Sequence, residues 1–288
     1  MRHAFLICAH NNFQLLERLL HQLDDSDFDC YVHIDKKSGF VDYNHYENIT
    51  AHSNVYFLRN RISVIWGHVS QIAVTFLLIE EAVKRGEYDY VHFISGVDYP
   101  IKSNCYIKDF FVSNYGKEFI GFIPWTPLMD TKIGYYNFFT AHSIKSSWII
   151  SKVDAFLKRI QKILNIRHYY DTHQFSKGCN WWSITGKLAN DLLIERKEIL
   201  MKYRFSSCAD EMFVQTFVWG NANYKQNIFD LSDEYRGCLR LIDWHRGNPY
   251  VWKSKDIEEI MKSEAIFARK FSEDDLNIID LIKQRLNN

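Results

Sequence analysis

The stretch HFISGVDYPIKS, residues 92–103, decides the fold. Tyr90 and Val91 lead into Phe93 and Ile94, an apolar, β-branched and aromatic run with the composition of a buried strand. Ser95-Gly96 breaks that run, the single carboxylate of Asp98 follows, and Pro100 fixes the exit. A buried strand that opens into a polar turn is how an α/β sheet presents a ligand site, because loops gather at the carboxyl ends of parallel strands.

Three runs upstream repeat the pattern. HAFLICA (3–9) ends in His10-Asn11-Asn12, CYVHID (30–35) ends on Asp35 and a Lys-Lys-Ser-Gly turn, and VYFL (55–58) is a third strand. Between them, Leu16, Leu19, Leu20 and Leu23 recur at helical spacing, as do Ile72, Phe76, Ile79 and Val83 in a helix from about 70 to 84. Strand and helix alternate through the first 115 residues, which predicts an α/β fold with a mainly parallel central sheet flanked by helices. Ala9-His10, Asp35 and Ser95 to Asp98 then all fall at carboxyl ends of strands. Neither G-x-G-x-x-G nor G-x-x-x-x-G-K occurs to provide a glycine-rich phosphate loop.

The second half is less periodic. Residues 122–148 are aromatic and read as a long functional loop, followed by a helix at about 149–164. NWWSIT (180–185) is a short strand, and a helix runs from Gly186 to about 200. CADEMFVQTFVW (208–219), LRLIDW, a turn at HRGNPY, a helix near 254–262, IFARKF and a last helix to about 286 complete the chain. No repeat or linker divides it, so one domain over 1–288 is expected. Its ligand-facing halves would be about 1–120 and about 121–288.

Composition excludes several classes. With 35 basic and 35 acidic residues, there is no surplus charge for nucleic acid. The six cysteines include no C-x-x-C pair, which argues against zinc and fits a reduced, cytoplasmic setting. The apolar run at the N-terminus is too short for a signal peptide, and IAVTFLLI (72–79) is far below a membrane span. Peripheral attachment at the inner face of a membrane through a basic patch stays open. Aromatic residues make up 16% of the chain, enough for a core and for flat platforms that pack on sugar C–H faces.

Four groups of side chains can carry chemistry. Asp210-Glu211 opens a helix, where free N–H groups and the helix dipole favour an ionised carboxylate, either as a base or as a plain cap. Trp181 and Trp182 share a strand and face opposite sides, one toward the core and one free for a sugar. Arg240, Arg269 and Lys270 sit among apolar residues and need an anionic partner, from the protein or from a ligand. Asp25-Ser26-Asp27 and Asp27-Phe28-Asp29 precede a strand and so read as a turn at the wrong end of the sheet.

Taken in order, LERLLHQL…CYVHIDKKS, VIWGHVSQ, HFISGVDYPIKS, KGCNWWSIT, ADEMFVQT and IFARKF resemble the core-2/I-branching β-1,6-N-acetylglucosaminyltransferase family. Peptide-O-xylosyltransferases share that catalytic domain, and DWHRGNP is closer to their branch. The resemblance runs from about residue 3 to 285. It implies a GT-A-type Rossmann-like fold and an inverting, metal-independent transfer from a UDP-sugar, UDP-GlcNAc first, to a saccharide or lipid-linked saccharide, with no cofactor. Such families lack an Asp-x-Asp metal pair and neutralise the diphosphate with basic side chains, which would explain the single Asp98.

Residue by residue, the resemblance makes Glu211 the catalytic base. It assigns Ala9, His10, Asp35, Trp66, Asp98, Arg240 and Lys270 to the nucleotide and its diphosphate. Asp210, Trp181, Trp182, Trp125 and Tyr135 would hold the acceptor. Animal members carry an anchor, a stem and disulfides, so this chain resembles a bacterial relative acting in polysaccharide synthesis. UDP-xylose or another UDP-hexose as donor is an alternative. A catalytically silent glycan-binding protein is another, and a glycoside hydrolase is disfavoured because only Glu211 has a convincing setting.

Overall fold

The computed structural model describes residues 1–46, 48–141 and 148–287. Its strands are β1 (His3–Ala9), β2 (Phe28–Ile34), β3 (Asn54–Phe57), β4 (Tyr90–Ser95), β5 (Asp98–Pro100), β6 (Trp182–Thr185), β7 (Arg240–Ile242) and β8 (Phe267–Arg269). The first helices are α1 (Phe13–Gln22), α2 (Ser70–Arg85), α3 (Asn104–Ser113), α4 (Pro127–Ile133), α5 (Trp148–Ile163) and α6 (Gly186–Ile194). They are followed by α7 (Arg196–Lys202), α8 (Phe213–Trp219), α9 (Ala222–Lys225), α10 (Glu234–Cys238), α11 (Ile257–Lys262) and α12 (Asn277–Asn287).

The central sheet runs β3-β2-β1-β4-β6, with β3, β2, β1 and β4 parallel and β6 antiparallel at one edge. That is the mainly parallel sheet flanked by helices expected from the alternation. Side chains of a strand alternate in direction, so β1 feeds two cores. Phe5 and Ile7 meet the α1 leucines, Ile107 and Phe111 of α3 and Ile278 to Ile282 of α12. Ala4 and Leu6 meet Ile72, Phe76 and Ile79 of α2, Leu188 and Leu192 of α6, and Phe213 and Val218 of α8. A sheet covered on both faces favours mostly apolar strands, and the polar residues of β1, β2 and β4, such as His3, Asp29 and His92, are buried with them.

The deciding stretch turns out to be two strands. After β4 the chain turns at Gly96 and enters β5, which belongs to a second sheet of order β5-β8-β7. A Cβ on Gly96 would lie 2.9 Å from that of Ala9, so only glycine lets the turn close onto the end of β1.

Other boundaries shift. The 122–148 segment holds a helix, α4, with Pro127 in its first turn, and its residues 142–147 lie outside the described residues. The helix expected from Gly186 to about 200 is two helices meeting at Glu195. Asp25 and Asp27 pair with Lys108 at 2.9 and 3.2 Å, a turn at the amino end of the sheet as expected.

Candidate active site

The carboxyl ends of β1, β2 and β4 open into a cleft of about 360 Å³. Ala9, His10, His33, Asp35, Trp66, Gln71 and Gly96 line it from the first half, and Asn180, Trp181 and Arg269 from the second. Larger hollows lie elsewhere: one of about 560 Å³ at the amino ends of β1 and β4, beside Arg2 and Asp89, and one of about 520 Å³ along β3. Neither contains the residues singled out by sequence.

Each wall of the cleft is held from beneath. Asp35 accepts from the N–H of Lys37 at 2.8 Å and of Val64 at 3.2 Å, fixing the turn after β2 to the Trp66 loop. His33 accepts from the N–H of Ile62, and burial pulls its pKa down to about 4, so it is a neutral acceptor. His10 is also lowered, by burial first and then by Lys37, Arg269 and Lys270, against the pull of Asp35.

The cations divide differently from expectation. Arg240 is 1% exposed, stacks 4.4 Å from the centre of Phe267, and donates to the carbonyls of Cys238 at 2.6 Å and Trp182 at 3.0 Å. It ties the two sheets together and does not reach the cleft, which corrects its assignment to a diphosphate. Lys270 is half-buried, and among the described residues its ammonium has no ion-pair or hydrogen-bond partner. It does not line the cleft itself but stands close enough to act on His10.

Arg269, by contrast, lies at the wall, its guanidinium 4.3 Å over the ring of Trp181. Its anionic partner is Asp98, at 2.6 Å. Asp98 is fully buried and also accepts from the N–H and hydroxyl of Ser95 at 2.8 and 2.9 Å. Both carboxylate oxygens are engaged within the protein, so Asp98 supports Arg269 from beneath and does not line the cleft.

The Trp pair divides into one core ring and one accessible ring as expected, but not by strand alternation. Because β6 begins at Trp182, strand alternation does not govern Trp181, and both rings lie against Phe93, at 5.2 and 5.3 Å. Trp182 is completely buried and is core. Trp181 lines the sheet-end cleft.

A second, aromatic cleft of about 340 Å³ lies nearby, lined by Phe122, Trp125, His173, Lys177 and Trp219. Trp125 stacks on His173 at 4.3 Å, placing this expected residue on an accessible wall. Tyr135 is not beside it: its ring is nearly buried, with the Arg167 guanidinium 4.4 Å over its face.

Glu211 stands between the two clefts. It ends a 3₁₀ turn (Ala209–Glu211) one residue short of α8, so ammonium groups rather than a helix dipole compensate its charge. Lys177 lies 3.0 Å and Lys132 3.3 Å from the same carboxylate oxygen, and its carbonyl accepts from Gly178 at 2.9 Å. Burial pulls Lys132 down, but Glu211 together with Cys208 and Asp210 outweighs it and the lysine is raised. Lys177 belongs to the aromatic cleft.

On the other side is Asp210, buried and not acceptor-facing as expected. One oxygen accepts from Gln71 at 2.9 Å and the other has no hydrogen-bond partner. Burial, then the neighbouring Glu211, pushes its carboxyl up to about 7. Gln71 lines the sheet-end cleft and also accepts from the N–H of Gly67 in the Trp66 loop. The base candidate is thus one side chain, Lys177, from the aromatic cleft and two, Asp210 and Gln71, from the sheet-end cleft. Sequence reasoning missed Lys132, Lys177 and Gln71; two of them stood inside KGCNWW and VIWGHVSQ, but nothing local marks them as partners of Asp210-Glu211.

Among the described residues, no group of three His, Cys, Asp or Glu side chains is placed to hold a metal ion, and no helix is long and apolar enough to cross a membrane.

The profile of the Core-2/I-Branching enzyme family matches residues 3–266. Xylosyltransferase oxt of Drosophila melanogaster is 26% identical over 292 residues, covering 94% of this chain and 32% of that protein. Xylosyltransferase 1 of Homo sapiens is 21% identical over 298 residues, covering 94% of this chain and 29% of that protein. The chain spans about a third of the length of these curated relatives. Among solved structures, mouse xyloside xylosyltransferase 1 in its apo form aligns with 93% of this chain and 96% of its own, at 11% identity and a TM-score of 0.39.

Proposed function

The chain belongs to the core-2/I-branching enzyme family, and we propose that it is an inverting glycosyltransferase using a UDP-sugar. The nucleotide would occupy the sheet-end cleft against Asp35, Trp66 and Trp181, with its diphosphate toward Lys270 and the guanidinium face of Arg269. A charge pair at about 4 Å and an effective dielectric of about 20 is worth roughly 4 kcal/mol. Lys270, unpaired among the described residues, would supply such a charge to a departing diphosphate without a metal, while Arg269, already paired with Asp98, would offer its remaining N–H donors. That is the electrostatic contribution at the point where charge develops.

The acceptor saccharide would lie on Trp125 and Trp219 in the aromatic cleft. Its hydroxyl oxygen attacks the anomeric carbon from the face opposite the diphosphate. The new C–O bond forms as the anomeric C–O bond to UDP breaks, UDP keeps the electron pair, and Glu211 takes the hydroxyl proton. The product is a β-linkage from an α-linked donor. The observation that carries this reading is the position of Glu211, joined through Asp210 and Gln71 to one cleft and through Lys177 to the other.

The family supports GlcNAc as the transferred sugar. A second reading, UDP-xylose, is favoured by the relatives, which are xylosyltransferases. UDP release measured with UDP-GlcNAc, UDP-xylose, UDP-glucose and UDP-galactose, each with and without EDTA, tests all of this. Release with one preferred donor that survives EDTA is expected. Release that EDTA abolishes and Mn²⁺ restores would overturn the metal-free scheme, and no release or UDP binding would remove the activity.

A further inference from the structure

α5 is inside out. Its apolar residues Ile149, Val153, Phe156, Ile160 and Ile163 recur at alternating intervals of four and three, the spacing that normally buries a helix face. Here the buried residues are polar, while Ile150 and Leu157 on the same face are half-buried. Asp154 and Gln161 are the buried positions, and Gln161 clasps the backbone of Tyr136, accepting from its N–H at 2.8 Å and donating to its carbonyl at 3.0 Å. The apolar face points outward, with Trp148 69%, Phe156 62% and Ile163 71% exposed. Leu164 and Tyr170 extend it beyond the helix.

The same helix is cationic. Lys152, Lys158, Arg159 and Lys162 stand against one acid, Asp154, which is already paired with Lys158 at 2.9 Å. In a chain with 35 basic and 35 acidic residues, this surplus is local. Lys152 and Arg159 border the apolar stripe, and the Lys152 ammonium sits 4.6 Å over the ring of Trp148. Sixteen residues span about 24 Å at 1.5 Å per residue, enough to lie along a surface, and α5 does not qualify as a membrane span.

We propose that α5 is a membrane-docking helix that lies in the headgroup plane of a bilayer containing anionic lipid. Apolar and aromatic side chains entering the acyl boundary, with lysines and arginine at phosphate level, are what such a helix needs. Charge selects the bilayer over a second copy of the chain. Two α5 faces brought together would oppose eight cations to two acids, whereas anionic headgroups complement them. The docking is independent of the transfer reaction. Its effect would be to hold the aromatic cleft near acceptors that reside at a membrane.

The test is sedimentation of the full chain with vesicles of phosphatidylethanolamine and phosphatidylglycerol, and with vesicles of phosphatidylcholine alone. Binding to the anionic vesicles is expected, weakened by salt and about tenfold or more weaker on phosphatidylcholine. Phe156→Glu with Ile163→Glu should abolish it, while circular dichroism and UDP binding stay as in the parent. Replacing Lys152 and Arg159 by Ser should weaken it about fivefold for each charge.

No sedimentation with either vesicle, or undiminished binding by the double Glu variant, would overturn the proposal. So would a lipid-free dimer in sedimentation velocity that the double variant dissolves, which would give the face to a second copy. UDP release by the same variants reads the transferase proposal separately, so either idea can fail alone.

Discussion

Asp98 and Arg269 are register partners of β5 and β8, and their side chains meet at 2.6 Å over a carboxylate that is fully buried. The one acid in the turn after β4 is therefore neutralised by the protein, which leaves Arg269 fixed at the wall of the sheet-end cleft. Removing one partner of a buried pair strands the other charge. Asp98→Ala is expected to destabilise the fold by about 3–5 kcal/mol. Urea unfolding checks this, and a loss below about 1 kcal/mol would mean that the pair is solvated.

Glu211→Gln keeps the shape of the side chain and removes the base. General-base help is typically worth about 10²–10⁴-fold, so transfer should fall by at least about 100-fold. UDP affinity, measured by calorimetry, should stay unchanged. A variant with near-normal turnover would take Glu211 out of the role.

Lys270 and Arg240 should now separate. Lys270→Ala is expected to weaken UDP binding by about tenfold or more with little change in stability, because no described residue relies on its ammonium. Arg240→Met should do the reverse. It strips donors from the carbonyls of Cys238 and Trp182 and should cost about 2–4 kcal/mol in unfolding while UDP binding to the folded protein persists. Equal losses of affinity in both variants would restore Arg240 to the diphosphate.

Asp210 predicts a pH dependence. Its carboxyl is raised by burial and by Glu211 from 3.8 to about 7, so the folded state holds a proton that the unfolded chain releases. The proton stabilises the fold fully below about 4, and that stabilisation is lost as pH rises through about 7. The shift corresponds to about 4 kcal/mol. Asp210→Asn removes this titration. Relative to the parent, the variant should gain stability progressively from pH 4 to 7 and then hold a constant difference. Because His3 and His33 are lowered to about 4 and titrate in the opposite sense over the same window, the difference between the two proteins is the quantity to follow. A difference independent of pH would show that Asp210 is ionised throughout.

Much of the fold was legible from local pattern. Mostly apolar composition marks β1, β2 and β4, and the leucine spacing marks α1, because each signal lies within one element. β5 and β8 were not legible. Three residues carry no period, and their pairing depends on a partner strand far away in sequence. The site divides in the same way. Ala9, His10 and Asp35 line the cleft because position at a strand's end decides that, whereas Trp66 lines it from the loop before α2 and only the family resemblance pointed to it. Trp182, Tyr135, Asp98, Asp210 and Arg240 were misplaced, since each needed knowledge of what covers it.

The sequence by itself determined where a cleft would form and which residue types would border it. Alternation of strand and helix sets the topology, and topology places loops at one end of the sheet. Only the tertiary structure decided the charges. A lysine 79 residues before Glu211 and another from the KGCNWW segment converge on its carboxylate, Asp98 neutralises Arg269, and Lys270 is left without a partner among the described residues. Coulomb interactions depend on distance through space and on burial, neither of which is written in residue order. For the same reason a cationic helix with textured apolar spacing could be read as a helix from its sequence, while which of its faces meets water was settled by packing alone.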